Sequence, residues 1–444
     1  MELKPFYTST FFRSLANALI SPFIPVFALF LGATQTLIGL TSSLPALANL
    51  LFQLFWSSFS ESTGKKKTLI IFGGIAWALM WIPIALVKDP VQFVLLLTVQ
   101  SILAAASIPV RTALLIQIIP SYKMAHVNTN LNLVDGIASF FGTLLGGFIL
   151  NQFGFVYFLF YIIAFLGIMS RVVLFWTKEP KPYYHPDGNL LNGLKKTFDF
   201  SRLKHEKNLT KLIIAVTFMD FSVFLVSPFF SVYIITGLRG NLINIAIISA
   251  IGVISTIMFS RPWEKIIDDH GKKFPMLACI IPISFIPFNY AIAPNIMWLY
   301  VYEIIGTMSW TGFNLAAFAY LVDTLPKGES SSYIAMYNLF TGLGSVVGPL
   351  VGGMLADMIS LQQLFIISTM LRLLTIFFLD KLEEKTGVRP RSIFSFGFER
   401  FGLMYNIENF VNTYMLVFDH TIKQSISLLK RKKYFKRKGI FRFE

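Results

Sequence analysis

Asn132-Leu133-x-x-Gly136-x-x-Ser139-x-x-Gly142-x-Leu144-x-Gly146-Gly147 returns 206 positions later as Asn338-Leu339-x-x-Gly342-x-x-Ser345-x-x-Gly348-x-Leu350-x-Gly352-Gly353, with eight of sixteen aligned residues identical. Ser21-Pro22-Phe23 likewise returns as Ser227-Pro228-Phe229, and Pro120 as Pro326. Both copies lie in long apolar stretches. The chain therefore reads as two copies of one membrane unit in the same orientation, an arrangement suited to moving solutes rather than to chemistry.

Working outward, the composition agrees. The 444 residues are 55% hydrophobic and 14% charged, with a mean hydropathy of +0.65, which excludes a soluble domain. A spanning helix needs about 20 mostly apolar residues. Twelve such spans are read near 7–31, 35–58, 68–87, 92–118, 127–151, 155–177, 211–236, 241–262, 274–293, 296–321, 333–356 and 362–380. The expected fold is an all-α, multi-pass cell-membrane protein of two pseudo-symmetric six-helix bundles, 1–177 and 211–381, with both termini cytoplasmic. The orientation follows from Lys and Arg: external loops hold only Lys88 and Arg239, and the remaining loop cations fall inside. The net charge of +15 thus reports topology beside an anionic inner leaflet, not nucleic acid. One cysteine, Cys279, excludes an internal disulfide and a thiolate metal cage.

Residues 178–210 read as a cytoplasmic linker. In the tail, 382–444, Leu403, Met404, Ile407, Phe410, Val411, Tyr414 and Phe418 share a helical face. Lys430 to Lys438 then carries seven cations in nine residues. An interfacial helix beside a basic run is expected to hold the tail to anionic lipid of the inner leaflet.

These features resemble the major facilitator superfamily, over about residues 5–381. In that family the loop between helices 2 and 3 reads Gly-x-x-x-Asp-Arg-x-Gly-Arg-Lys. Here Glu61-Ser62-Thr63-Gly64-Lys65-Lys66 keeps the acid, the turn glycine and the cations, and Asp268-Asp269-His270-Gly271-Lys272 repeats the spacing at the corresponding loop of the second copy. Glycine takes the left-handed conformation a tight turn demands, and the acid suits the positive end of a neighbouring helix. The resemblance implies gating roles for Glu61, Gly64, Lys65, Asp268, Gly271 and Lys272. Glu61 would face the start of helix 11 at Ser330, and Asp268 the start of helix 5 near His126 and Asn128. Ser21-Pro22-Phe23-Ile24-Pro25 resembles the Pro-x-x-Pro pattern of twelve-span drug:proton antiporters. Gly344-x-x-x-Gly348-Pro349 resembles their glycine motif, displaced from helix 5 to helix 11. Helix 4 departs from the pattern, with Leu97 at its arginine position.

Within the spans six ionisable residues stand out: Arg13, Arg111, Asp135, Asp220, Glu303 and Arg372. Each costs about 2.5–3.5 kcal/mol at mid-helix unless it pairs or meets water. Arg13, Arg111 and Asp135 lie at a similar depth, so Asp135 is expected to pair with Arg111 or Arg13. Helices 1, 4, 7 and 10 line the cavity in the superfamily. That assigns Arg13, Asn17, Arg111, Asp220, Glu303, Trp310 and Asn314 to the transport cavity, with Asp220 and Glu303 as proton or cation sites, and Asp135 of helix 5 joins them through its expected pairing. Arg372, on the peripheral helix 12, reads as structural.

The function expected is a monomeric secondary transporter that exports small amphiphilic solutes against protons, with no cofactor or metal. Proton-coupled uptake of a sugar, carboxylate or other metabolite is the alternative, and a transport-inactive sensor with a signalling tail is a third. An enzyme is disfavoured because the five histidines are scattered and no nucleotide loop or nucleophile motif appears.

Overall fold

The computed structural model describes residues 3–63, 66–107, 110–111, 114–115, 118–119, 121–155, 157–177, 203, 206–326, 330–383 and 415. The expected linker lies mainly outside them, and so does almost all of the tail with its amphipathic and basic segments. Every regular element among the described residues is helical. The membrane helices are α1 (Lys4–Phe30), α2 (Gln35–Thr63), α3 (Lys66–Ala85), α4 (Pro90–Ala105), α5 (Ser121–Phe153), α6 (Tyr157–Trp176), α7 (Lys207–Thr236), α8 (Leu242–His270), α9 (Lys273–Ile292), α10 (Ile296–Thr324), α11 (Ser330–Ala356) and α12 (Leu361–Asp380). Ten of these are long and apolar enough to cross a membrane on their own composition, and α4 and α10 complete the twelve. Several run past the apolar stretch that announces them: α5 starts at Ser121 rather than 127, and α8 continues to His270 rather than 262. Hydropathy marks the hydrocarbon, whereas the helical hydrogen bonds continue into the interface.

Proline sits at the breaks in α1 and α7. Pro22 lacks an N–H and crowds the preceding turn, so α1 stops at Ala18 and resumes at Ile24 after the short helical turn Ser21–Phe23. Pro228 interrupts α7 in the same way, between Phe224 and Phe229.

The repeat is reproduced atom by atom. Helix α5 packs on α1 and α11 on α7. A Cβ placed on Gly142 would stand 2.8 Å from the Leu15 carbonyl oxygen, and one on Gly146 would stand 2.2 Å from that of Leu19. At the 206-residue offset, a Cβ on Gly348 would meet the Phe221 carbonyl oxygen at 2.9 Å and one on Gly352 that of Leu225 at 1.8 Å. The shared glycines therefore let paired helices approach backbone to backbone. Lys67 and Lys273 show the same relation: Lys67 donates to the Phe175 and Thr177 carbonyls at 2.8 and 2.7 Å, and Lys273 to the Asp380 carbonyl at 2.5 Å. Each cation thus satisfies backbone oxygens at a helix end.

Contacts between the copies run through α2 with α11 and α5 with α8. The end of the bundle holding the start of α1 and the α2–α3 and α8–α9 loops is called the near end here, the opposite one the far end. In the far half one apolar core is continuous across both copies, with Phe23, Val26, Phe27 and Ile38 of the first beside Phe229, Val232, Tyr233 and Phe365 of the second. In the near half each copy has its own core. One is built on Phe6, Ile70, Leu114 and Leu131, the other on Leu212, Met219, Trp263, Ile280 and Phe313.

Candidate functional site

The near half of the first copy holds a cavity of about 340 Å³ between α1, α5, α6 and the stretch that follows α4, with Arg13, Arg111, Asp135 and Arg171 in its wall. The Arg13 guanidinium donates to Asp135 Oδ1 at 3.0 Å, and the Ser14 hydroxyl donates to the same oxygen. The pair is reached by solvent, with side chains 34% and 45% exposed. Arg111 donates to Thr10 Oγ1, whose hydroxyl in turn donates to the Phe6 carbonyl at 2.7 Å. Asp135 thus stands with Arg13, and Arg111 is held beside them by a threonine. Arg171 completes the wall from α6. It is 3% exposed, and its Nε and Nη1 have no hydrogen-bond partner.

A second cavity, of about 320 Å³, lies on the pseudo-twofold axis and brings the two Ser-Pro repeats together. Ser21 and Pro22 face it from α1, Ser227 and Pro228 from α7, with Thr41, Ser249 and Tyr290 around them. The two helix breaks thus leave a polar lining at the point where the copies meet.

Neither cavity is lined by Asp220, Glu303, Asn17, Trp310 or Asn314. Glu303 accepts a hydrogen bond from Thr307 at 2.7 Å and faces Gly252 of α8. Asp220 lies against Gly344 of α11, where an added Cβ would come 2.9 Å from its own. No described basic residue pairs with either acid. Asn17 and Asn314 are exposed, and Trp310 stacks on Phe313 at 6.0 Å against the core of the second copy. Arg372 is fully buried and donates from Nη1 to the Ile283 carbonyl at 3.0 Å, linking α12 to α9.

At the near-end loops, Gly64 and Lys65 fall outside the described residues, as does the side chain of Glu61. In the second copy Gly271 has φ +81°, the left-handed turn that ends α8. Asp268 is exposed, and Lys272 pairs with Asp323 of α10. His126, which the resemblance places near Asp268, bonds to Asn130 at 3.2 Å. The far end carries a contact between the copies that sequence reading did not anticipate. Asp357, just past α11, accepts from the backbone N–H groups of Gln35 and Thr36 at 2.8 and 3.1 Å and from the Thr36 hydroxyl at 2.5 Å. A carboxylate of one copy thus caps α2 of the other.

The family model of the Major Facilitator Superfamily matches residues 6–315 and 212–441. The chain belongs to that superfamily. It is 25% identical over 383 residues to an uncharacterised MFS-type transporter of Bacillus subtilis, YuxJ, covering 82% of this chain and 94% of that protein. It is 23% identical to the multidrug resistance protein MdtG of Enterobacter lignolyticus, covering 85% of this chain and 91% of that one, and 23% identical to the multi-drug resistance efflux pump PmrA of Streptococcus pneumoniae, covering 82% and 91%. Among solved structures, nucleoside transporter NupG superposes with a TM-score of 0.70 at 15% identity, covering 86% of this chain and 99% of that one. A D-xylose–proton symporter does so at 0.66 and 12%, covering 87% and 98%. At these identities the structures show the shared fold.

For this superfamily member, sequence reading found three of the four charges in the arginine cavity and passed over Arg171. Near the end of α6, an arginine looks like one that snorkels to the interface. Only the structure shows what places it: a Cβ on Gly74 would stand 1.9 Å from Arg171 Nε, so α3 leaves a notch for the guanidinium.

Proposed function

We propose that this protein is a secondary transporter that exports small amphiphilic organic solutes in exchange for protons, by rocking its two six-helix copies about the shared axis. The observation that carries the reading is the distribution of the cores: fused across the copies in the far half, separate in the near half. That is the form of a rocker closed at one end and open at the other. Described cations concentrate at the near end, at Lys66, Lys67, Arg261, Lys265, Lys272 and Lys273, which supports a cytoplasmic near end and an inward-open state. The efflux pumps among its relatives support the direction.

Asp220 and Glu303 are the coupling acids in this reading. Each lies in a membrane helix without a basic partner, so a proton or a substrate cation is what remains to balance its charge. The test is flux in proteoliposomes under an imposed pH gradient, using the wild type, Asp220→Asn and Glu303→Gln. Gradient-driven accumulation is expected in the wild type and is expected to vanish in at least one variant, while downhill exchange persists. Wild-type flux indifferent to the gradient would leave a facilitator and end the coupling reading.

A further inference from the structure

Charge in the near-half cavity does not balance. Arg13, Arg111 and Arg171 converge there with Asp135 as the one described carboxylate in the wall, an excess of two positive charges inside a membrane bundle. Their hydrogen bonding is unfinished as well. Arg13 is occupied by Asp135, yet Arg13 Nε, Arg111 Nε, and Arg171 Nε and Nη1 are buried without acceptors. The Gly74 notch holds Arg171 in place, so its orientation is built rather than incidental. Uncompensated guanidinium groups with free donors are what a carboxylate or phosphate completes, through charge-assisted and often paired hydrogen bonds.

We propose that this cavity is the head-group subsite of the transported solute, and that it takes an organic anion bearing a carboxylate or phosphate, held by Arg171 and Arg111 while Arg13 stays paired with Asp135. The proposal rests on the transport reading above and narrows its substrate class. A cationic amphiphile would meet two uncompensated like charges here. The volume, about 340 Å³, suits a charged head with a small organic body. The anion can be a free solute or the head of an anionic lipid; the chemistry at the arginines is the same.

The test uses the full chain reconstituted in phosphatidylcholine vesicles, with phenyl phosphate and benzoate as anionic probes, benzamide as neutral probe and benzylammonium as cationic probe. Binding is read by tryptophan fluorescence and thermal stabilisation, neither of which requires flux. The anions are expected to bind about tenfold or more tightly than benzamide, with benzylammonium weaker still. Arg171→Leu should remove that preference. Gly74→Ala, which displaces the Arg171 guanidinium without removing its charge, should weaken anion binding several-fold and serves as the deciding variant if Arg171→Leu does not fold. Competition by phosphatidylglycerol that is lost in the variant assigns the head to lipid, and its absence assigns it to a soluble anion; both keep the site. Equal binding of phenyl phosphate and benzylammonium, or anion binding intact in both variants, overturns it. Anion binding without flux would instead count against the transport reading and leave the site standing.

Discussion

At the residue scale, two glycines common to the two copies mark places where helix backbones meet directly. Gly146 and Gly352 occupy equivalent places, and in each a Cβ would press into a carbonyl oxygen of the neighbouring helix, at 2.2 and 1.8 Å. Backbone does not yield as a side-chain tip does, so the helices must separate. Gly352→Ala is expected to destabilise the protein by about 1–3 kcal/mol, as overpacking does in a well-filled core, and Gly146→Ala by a similar amount. Thermal unfolding in detergent measures it. Midpoints equal to the wild type in both variants would show that the paired helices are not in close contact. The repeat made these positions visible in the sequence, because a glycine kept at a fixed offset within apolar surroundings points to a close approach. Arg171 had no such marker. Its meaning lies in what three other helices bring beside it, and no local pattern encodes that.

At the element scale, the helices were legible and their gates only in part. Apolar runs located all twelve, whereas the Ser-Pro repeats marked α1 and α7 as equivalent without announcing their breaks, since Pro45, Pro262, Pro282, Pro287 and Pro349 lie inside unbroken helices. Helix ends were less visible, because polar residues at the interface continue the backbone pattern without continuing the hydropathy. The far-end latch escaped notice for a different reason. Asp357 lies 321 residues from Thr36, which it accepts from, and neither residue belongs to a spaced motif. The latch also lacks a twin: the 206-offset partner of Asp357 is Asn151, and α8 is capped by its own Asn241 through a reciprocal pair with Asn244. Closure of the far end therefore leans on one carboxylate. Both carboxylate oxygens accept here, so Asp357→Asn removes the charge and one acceptor, which should cost about 1 kcal/mol and raise the far-open population about fivefold. The readout is labelling of Ser227→Cys, in a Cys279→Ser background, by an impermeant maleimide added from the far side. A labelling rate unchanged by Asp357→Asn would mean that the apolar core and the Ser43 hydroxyl on the Val346 carbonyl keep that end shut without the latch.

At the scale of the whole molecule, one asymmetry dominates. Among the described residues the two copies share a core only in their far half, so any rotation that opens the far end must divide the cluster around Phe23, Phe27, Phe229 and Tyr233. Such a division exposes apolar surface, and the cost has to be recovered elsewhere. Closure of the near end is the available source, because it would bury the inner walls that the present state leaves apart. In the proposed rocking cycle the copies must move against each other, which a bond across the far end forbids. The Thr36 hydroxyl donates to Asp357 at 2.5 Å, so cysteines at the two positions stand near one another across the far end, and the yield of oxidation reports how completely they join. With Cys279→Ser removing the native thiol, oxidation of Thr36→Cys/Asp357→Cys should reduce flux to that of empty vesicles, and a reductant should restore it. Comparison of oxidised and reduced forms of this one variant cancels the loss of the Asp357 latch, which both forms share. Because the bond fixes only the far end, probes added from the near side should still reach Arg13 and Asp135 in the oxidised protein. Flux that survived complete cross-linking would exclude rocking about the axis and require a path through one copy alone.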